Sequence, residues 1–201
     1  NLIIEDESKL FKSKFKHKPK DIWFELTWNA LTLNLYNKKL KLFYPLKIEF
    51  EKEILLGNFS SALKILDEIE VIFGKSLWLI KNRLNLKQEI EGLEFQKEYA
   101  KELKEKDIEI NAKILIYLFS VSSEKHISYT YFNRLIDNFF EGFSDTEMLE
   151  YIKFKLQKDL PLNIEFLDHI LMQESSSSLI DLYETLIELL QNILLIMIKD
   201  N

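Results

Sequence analysis

Cysteine is absent from the 201 residues, and glycine and proline occur only four and three times. Without cysteine the chain has neither a disulfide framework nor a thiolate metal site. So few turn residues leave little room for the many tight turns of an all-β fold, whereas abundant Leu, Ile, Lys and Glu favour helices. With 47% apolar residues, a chain of this length can bury a real core. The composition therefore predicts an all-α protein.

Catalytic and nucleotide-binding motifs are also missing. Four scattered glycines cannot form a Gly-rich phosphate loop. His17, His126 and His169 lie far apart, and none has the i, i+4 partner of a metal-binding helix face. Asp168 directly precedes His169, a spacing that points the two side chains about 100° apart on a helix. We therefore expect no catalytic residue, no metal and no cofactor.

No run of about 18 uncharged apolar residues occurs anywhere in the chain. Acidic and amide side chains interrupt even the most apolar segment, 179–198. Nothing near residue 1 resembles a charged-then-apolar signal sequence. We expect no membrane span and, by default, a cytoplasmic protein. Residues 193–198 are apolar on every side, so either the chain's own helices or a partner subunit should cover them.

Apolar residues recur at helical spacing along almost the whole chain, which predicts about nine antiparallel helices. Pro45 is the favoured first residue of the second helix. The run 114–119 is also compatible with a central strand. A capping box at 144–147 opens the eighth helix, which should stop before Pro161. The other predicted helices span 21–36, 45–56, 59–73, 76–90, 93–106, 108–121, 128–141 and 179–198.

Residues 57–73 carry the most informative pattern. Gly57 supplies a turn conformation that a residue with a Cβ resists, and Asn58 or Ser60 is placed to cap the next helix. Apolar residues then recur every three or four positions on one face. Ala62 within this stripe lets two helix axes approach closely. The stripe consists of Phe59, Ala62, Leu63, Leu66, Ile69 and Phe73.

This stretch resembles the second half of a tetratricopeptide repeat, a unit of two helices in about 34 residues. Gly57 and Gly92 lie 35 residues apart, which fits one period. The resemblance covers residues 41–91 and is specific at 57–73. It implies stacked helical hairpins, as in a fragment of an α-solenoid, whose surface binds another protein. A plain helical hairpin inside a different all-α fold is the alternative interpretation.

Three parts are predicted: a Lys-rich lead segment with the first helix (1–37), repeat-like hairpins (38–106) and a C-terminal helical bundle packed on those hairpins (107–201). The lead segment includes Lys9–Lys20, in which six lysines surround two phenylalanines. Such an arm can bind phosphates while its rings stack on bases. A solvated linker, or a short extended edge segment kept soluble by lysine, is the alternative. A pI near 5.3 disfavours nucleic acid over the body of the domain.

Three hypotheses about function follow. The leading one is a non-catalytic helical scaffold that binds a protein partner, or a second copy of itself, as one component of a bacterial multi-protein system. A nucleic-acid-binding accessory module is the alternative, and an all-α enzyme whose site is not visible in the sequence is the third. The partner-binding candidates are Trp78, Arg83, Tyr99, Ile193 and Ile196. The phosphate-binding candidates of the alternative are Lys12, Lys14, Lys16 and Lys18.

Overall fold

The computed structural model describes residues 2–10, 21–142, 145–156 and 166–199, apart from the side chains of Ser8 and of 193–199. Within these ranges the backbone forms ten α-helices and a short 3₁₀ turn, with no β-strand. Residues near Ile4 are extended and make one isolated parallel bridge to Gly74. The all-α prediction is therefore confirmed.

The helices follow one another with short connections over most of the chain. The eight-residue α9 is missing from the sequence prediction, because so short a segment shows little more than two helical turns. The bounds are α1 (Ile22–Leu35), α2 (Asn37–Leu55), α3 (Phe59–Phe73), α4 (Leu77–Ile90), α5 (Leu93–Glu105), α6 (Ile110–Ser122), α7 (Tyr129–Phe139), α8 (Thr146–Leu156), α9 (Leu167–Glu174) and α10 (Leu179–Lys199).

Helices α2 to α6 form a stack in which each helix packs against the next, and α4 also contacts α6. Gly57 lies in the turn between α2 and α3, and Gly92 lies in the turn between α4 and α5. Both have the positive φ that glycine adopts most readily. Asn58 precedes α3, but its side chain does not make the predicted capping hydrogen bond. The stack is consistent with the predicted repeat-like hairpins.

One face of α3 is buried, as its residue spacing predicts. Ala62, Leu66 and Ile69 have no exposed surface, whereas Val71 on another face is 86% exposed. The buried face of α3 packs between its neighbours α2 and α4. Ala62 therefore lies where a larger side chain would meet a neighbouring helix.

The prediction that Pro45 begins a helix is wrong. Helix α2 begins at Asn37, and Pro45 lies inside it. Proline has no N–H to donate to the Lys41 carbonyl, so the helix lacks one hydrogen bond there. The nearby Phe43 is fully buried, and its ring packs edge-on against aromatic rings of α3, α4 and α10. Tertiary packing thus outweighs the local signal of the proline.

Apart from α9, the C-terminal helices lie close to where the sequence predicts them. The run 114–119 lies within α6, so the helical interpretation is correct. Asp145 caps α8, because its carboxylate accepts the Met148 N–H at 3.0 Å. Ser144, the first residue of the predicted capping box, and Pro161 lie outside the described residues. Among the helices that the structure describes, none is both long and apolar enough to cross a membrane.

The leading residues contact helices from the far end of the chain. Helix α1 packs against α9 and α10, and the Leu179 N–H at the start of α10 donates to the Leu2 carbonyl at 2.9 Å. One cluster of buried apolar side chains extends from Leu2 to Leu189. The three-part division at 1–37, 38–106 and 107–201 stays a prediction.

Replacing Ala62 with leucine tests the packing of the hairpin stack. Ala62→Leu should lower the free energy of unfolding by about 1 to 3 kcal/mol, because the added atoms overpack a buried face. Val71→Leu on the exposed side of α3 is the control and should change it by less than about 0.5 kcal/mol. Urea unfolding followed by circular dichroism measures both. A neutral Ala62→Leu would show that α3 does not pack closely at this position.

Candidate functional site

Helix α1 exposes its largest apolar side chains. Phe24, Trp28, Leu31 and Leu35 recur at i, i+4, i+7 and i+11, so they share one side of the helix, which we call the outer face of α1. Their exposed fractions run from 42% at Phe24 to 83% at Leu35. Trp23, one residue away in sequence, is 76% exposed. The outer face is therefore a contiguous apolar stripe.

The opposite side of α1 buries polar residues. Glu25 and Asn29 are both buried, and the Asn29 Nδ2 donates to the carbonyls of Glu25 at 2.9 Å and Leu171 at 3.2 Å. The Asn29 Oδ1 is buried and has no hydrogen-bond partner in the described structure, which costs stability. A surface helix normally places its polar residues outside and its apolar residues inside. In α1 this arrangement is partly reversed, and such exposed apolar patches mark interaction sites.

The predicted candidate Trp78 belongs mainly to the core. It is half-buried, and its ring packs edge-on against Phe43 at 5.6 Å and Phe50 at 5.5 Å between centroids. It also lines a groove of about 540 Å³ between α2 and α4. The ion pair between Lys47 and Glu184 of α10, with N···O distances of 2.7 Å, lies at this groove. Helix α10 therefore already contacts the surface beside Trp78.

The predicted candidates Arg83 and Tyr99 line a second cleft, of about 650 Å³. Arg83 donates to Asp67 at 2.7 Å and to Glu70 at 2.6 Å, so both ends of its guanidinium are engaged by carboxylates. Burial raises the pKa of Tyr99 to about 12, although the charge of Arg83 opposes this shift. The cleft is lined by acidic and basic groups that largely neutralise each other. Among the described residues that line it, Lys75, Arg83 and Lys106 each pair with a carboxylate.

The remaining candidates fall outside what the structure describes. This applies to Lys12, Lys14, Lys16 and Lys18 of the proposed phosphate-binding arm. Helix α10 includes Ile193 and Ile196, but the placement of their side chains is likewise outside the described residues. Their proposed roles stay predictions.

A buried polar network joins α8, α9 and α10. Lys155 forms an ion pair with Glu174 and donates to the Thr185 hydroxyl at 2.8 Å, while the Tyr151 hydroxyl donates to Glu174 at 2.7 Å. Burial raises the pKa of Tyr151 well above its ordinary value, and the charge of Glu174 adds to this shift. Burial lowers the pKa of Lys155, but the charges of Glu174 and Asp181 outweigh it and raise that pKa overall.

This network has a structural role. The cavity beside Tyr151 and Asp181 has a volume of only about 10 Å³, room for about one water molecule. Within the described residues, the polar groups of the network pair with one another. The network is best described as a set of hydrogen bonds and one ion pair that fix three helices together.

Asp168 and His169 do meet, contrary to the prediction that their side chains point apart. The His169 Nδ1 lies 3.0 Å from an Asp168 carboxylate oxygen, because the aspartate side chain turns back to accept the His169 backbone N–H at 2.8 Å. The His169 Nε2 lies 3.0 Å from Glu147, which links α9 to α8. Across the described ranges, no three His, Asp or Glu side chains are grouped so that they could hold a metal ion.

The outer face of α1 is the feature that the sequence analysis missed. The sequence places apolar residues on every side of α1, so it does not indicate which side packs inward. Comparison with protein-family models, with curated proteins and with solved structures finds no match to this chain. The resemblance to a tetratricopeptide repeat therefore stays a prediction.

Removing the buried cation should destabilise the C-terminal helices. Lys155→Met leaves the Glu174 carboxylate buried without its counter-charge, so the free energy of unfolding should fall by about 3 to 5 kcal/mol. The double variant Lys155→Met/Glu174→Gln removes both charges and should recover most of this loss. Urea unfolding of the two variants measures the difference. Equal stability of the two would show that the ion pair is not desolvated.

Alkaline pH should weaken the fold partly through Tyr99. Its pKa rises from 10.0 to about 12 on folding, so the folded state retains a proton that the unfolded state loses. The associated stability is present below pH 10 and is lost as the pH rises towards 12. Tyr99→Phe should therefore make the unfolding free energy fall less steeply over this range than in the wild type. Tyr131→Phe, at an exposed site, is the control for the substitution itself.

Proposed function

We propose that this chain is a non-catalytic helical scaffold that binds a protein partner through the outer face of α1. The observation that carries the proposal is the partial reversal of polarity in α1. Asn29 is fully buried, whereas Trp28 and Leu31 are 55% and 58% exposed. A helix that leaves aromatic and aliphatic side chains in water gains stability when a partner covers them.

The spacing of the outer face fits a partner helix. Successive residues of the outer face are four, three and four positions apart, which is the spacing of the apolar seam of a coiled coil. These residues are Phe24, Trp28, Leu31 and Leu35. Thr27, Thr32 and Asn34 are the uncharged neighbours of this seam. An amphipathic helix with its own apolar stripe is therefore the partner that fits best, whether it comes from another protein or from a second copy.

Nucleic acid and lipid headgroups fit the outer face less well. Phosphate recognition uses lysine and arginine, and a helix that lies on an anionic membrane carries these residues along its polar side. Helix α1 contains neither residue type between Ile22 and Leu35. The proposed nucleic-acid role of Lys12, Lys14, Lys16 and Lys18 rests on sequence alone.

The proposal also includes the kind of organism and the cellular location in which the scaffold acts. Lysine outnumbers arginine by 25 to 2, and isoleucine and asparagine are abundant, which is typical of proteins from AT-rich bacterial genomes. We expect the scaffold to act as one component of a bacterial multi-protein system in the cytoplasm. The resemblance of 57–73 to a tetratricopeptide repeat supports a binding role, since such repeats serve as interaction surfaces.

Substitutions on the outer face should separate partner binding from folding. Trp28→Gln/Leu31→Gln should reduce recovery of the partner from the native source by about tenfold or more, because aromatic anchors dominate interface energies. Leu55→Gln/Val71→Gln is the matched control, since these residues are 87% and 86% exposed on other helices. Quantitative mass spectrometry of the copurified material measures the recovery.

Equal recovery with both double variants would contradict the proposal. Circular dichroism should show that both variants keep their helical content, because all four sites are exposed. The nucleic-acid alternative would instead be supported by tight, salt-sensitive binding of single-stranded nucleic acid. A variant that replaces four lysines with glutamine should then abolish this binding; the four are Lys12, Lys14, Lys16 and Lys18.

A further inference from the structure

Residues 2–10 lie in a groove built by distant parts of the chain. The groove is formed by the turn between α3 and α4, the end of α5, and the starts of α4 and α10. Leu2, Ile4 and Leu10 are buried in it, at 7%, 5% and 1% exposure. No residue of the outer face of α1 belongs to this groove, so the groove is separate from the proposed partner-binding face.

Backbone groups hold the first part of the segment. The Leu2 carbonyl accepts the Leu179 N–H at 2.9 Å, and the Ile4 carbonyl accepts the Lys75 N–H. Leu179 is the first residue of α10, where N–H groups have no partner within the helix. Recognition through main-chain groups tolerates different side chains, as when an extended peptide adds to the edge of a sheet.

Gly74 shapes the floor of the groove. A Cβ at this position would overlap the Ile4 carbonyl, and its φ is +76°. Gly57 has nearly the same φ, +74°, but a Cβ there would meet no atom within 4 Å. Substituting either glycine would therefore strain the backbone to a similar extent. Only a side chain at position 74 would also collide with the segment. This makes them a matched pair for experiments.

Side chains select the occupant at four positions. The buried Glu7 carboxylate lies 3.0 Å from the Lys106 Nζ and 3.3 Å from the Lys75 Nζ. Leu10 lines the small cavity beside Tyr151. Glu5 and Lys9, by contrast, are exposed. The groove thus recognises apolar residues at positions 2, 4 and 10 and an acidic residue at position 7.

We propose that this groove is a binding site for a peptide whose first residues are extended and whose acidic residue begins a 3₁₀ turn, as Glu7 does here. Two apolar residues lie five and three positions before the acidic residue, and a third apolar residue lies three positions after it. Residues 2–10 are the occupant supplied by the chain itself. A segment of another polypeptide with the same pattern can take their place when they leave. The two lysines provide the charge that an acidic peptide requires.

A cleavable version of the full chain tests this proposal. A specific protease site replaces residues 13–18, the protein is cleaved after folding, and a fluorescent peptide with the sequence of residues 1–10 is added. Anisotropy should show that the labelled peptide exchanges into the groove. A Glu7→Gln peptide should bind at least about tenfold more weakly, because a hydrogen-bonded charge is lost. The matched Glu5→Gln peptide should bind as the parent does.

The class of ligand is tested with altered peptides and altered grooves. A peptide with Leu2→Ile, Ile4→Leu and Leu10→Met keeps the pattern and the side-chain volumes and should bind within about tenfold of the parent. The cleaved Gly74→Ala protein should lose most of its affinity for the parent peptide, whereas cleaved Gly57→Ala should retain it. If cleavage costs helical structure, adding the peptide should restore the circular dichroism signal.

Three results would overturn the proposal. One is the absence of binding, or of restored helicity, at about 1 mM peptide. Another is equal affinity of the Glu5→Gln and Glu7→Gln peptides. The third is loss of binding by the pattern-preserving peptide, which would show that the groove fits only its own segment.

Discussion

One buried carboxylate joins the hairpin stack to the C-terminal helices. Asp181, in the first turn of α10, accepts the N–H groups of Leu77 and Trp78 at the start of α4, each at 2.9 Å. It also accepts the Ser178 hydroxyl at 2.7 Å, and Ser178 in turn caps α10. Unpaired N–H groups and the positive end of the helix dipole favour an anion there. The position of α10, and of the helices packed on it, depends on this contact.

The reversed polarity of α1 follows from where α10 and α9 lie. Helix α1 packs on both of them, and the Leu171 carbonyl of α9 meets α1 at Asn29, which donates to it. That carbonyl also accepts the Ser175 N–H, so the Asn29 amide adds a second hydrogen bond to it. The outer face of α1 keeps Trp28 and Leu31 in water. This exposed face is the basis of the partner site proposed at α1.

Local signals in the sequence predicted local structure well. Asp21, Ser76 and Ser128 are cap residues that precede α1, α4 and α7, and the stripe through Ala62 and Leu66 faces inward as its spacing predicts. Contacts between distant residues could not be predicted, because nothing near Asp181 in sequence indicates that it caps a helix about 100 residues earlier. The outer face of α1 was missed for the same reason, since the side of an apolar helix that packs inward depends on its neighbours.

Tryptophan quenching tests the central claim most directly. The chain has three tryptophans, so a Trp78→Phe variant reports only on Trp23 and Trp28 of α1. Acrylamide should quench this emission strongly in the free protein, because both side chains are more than half exposed. Binding of the copurified partner should shield them and shift the emission to shorter wavelengths. Unchanged quenching and emission in the complex would show that the partner binds elsewhere and would contradict the account.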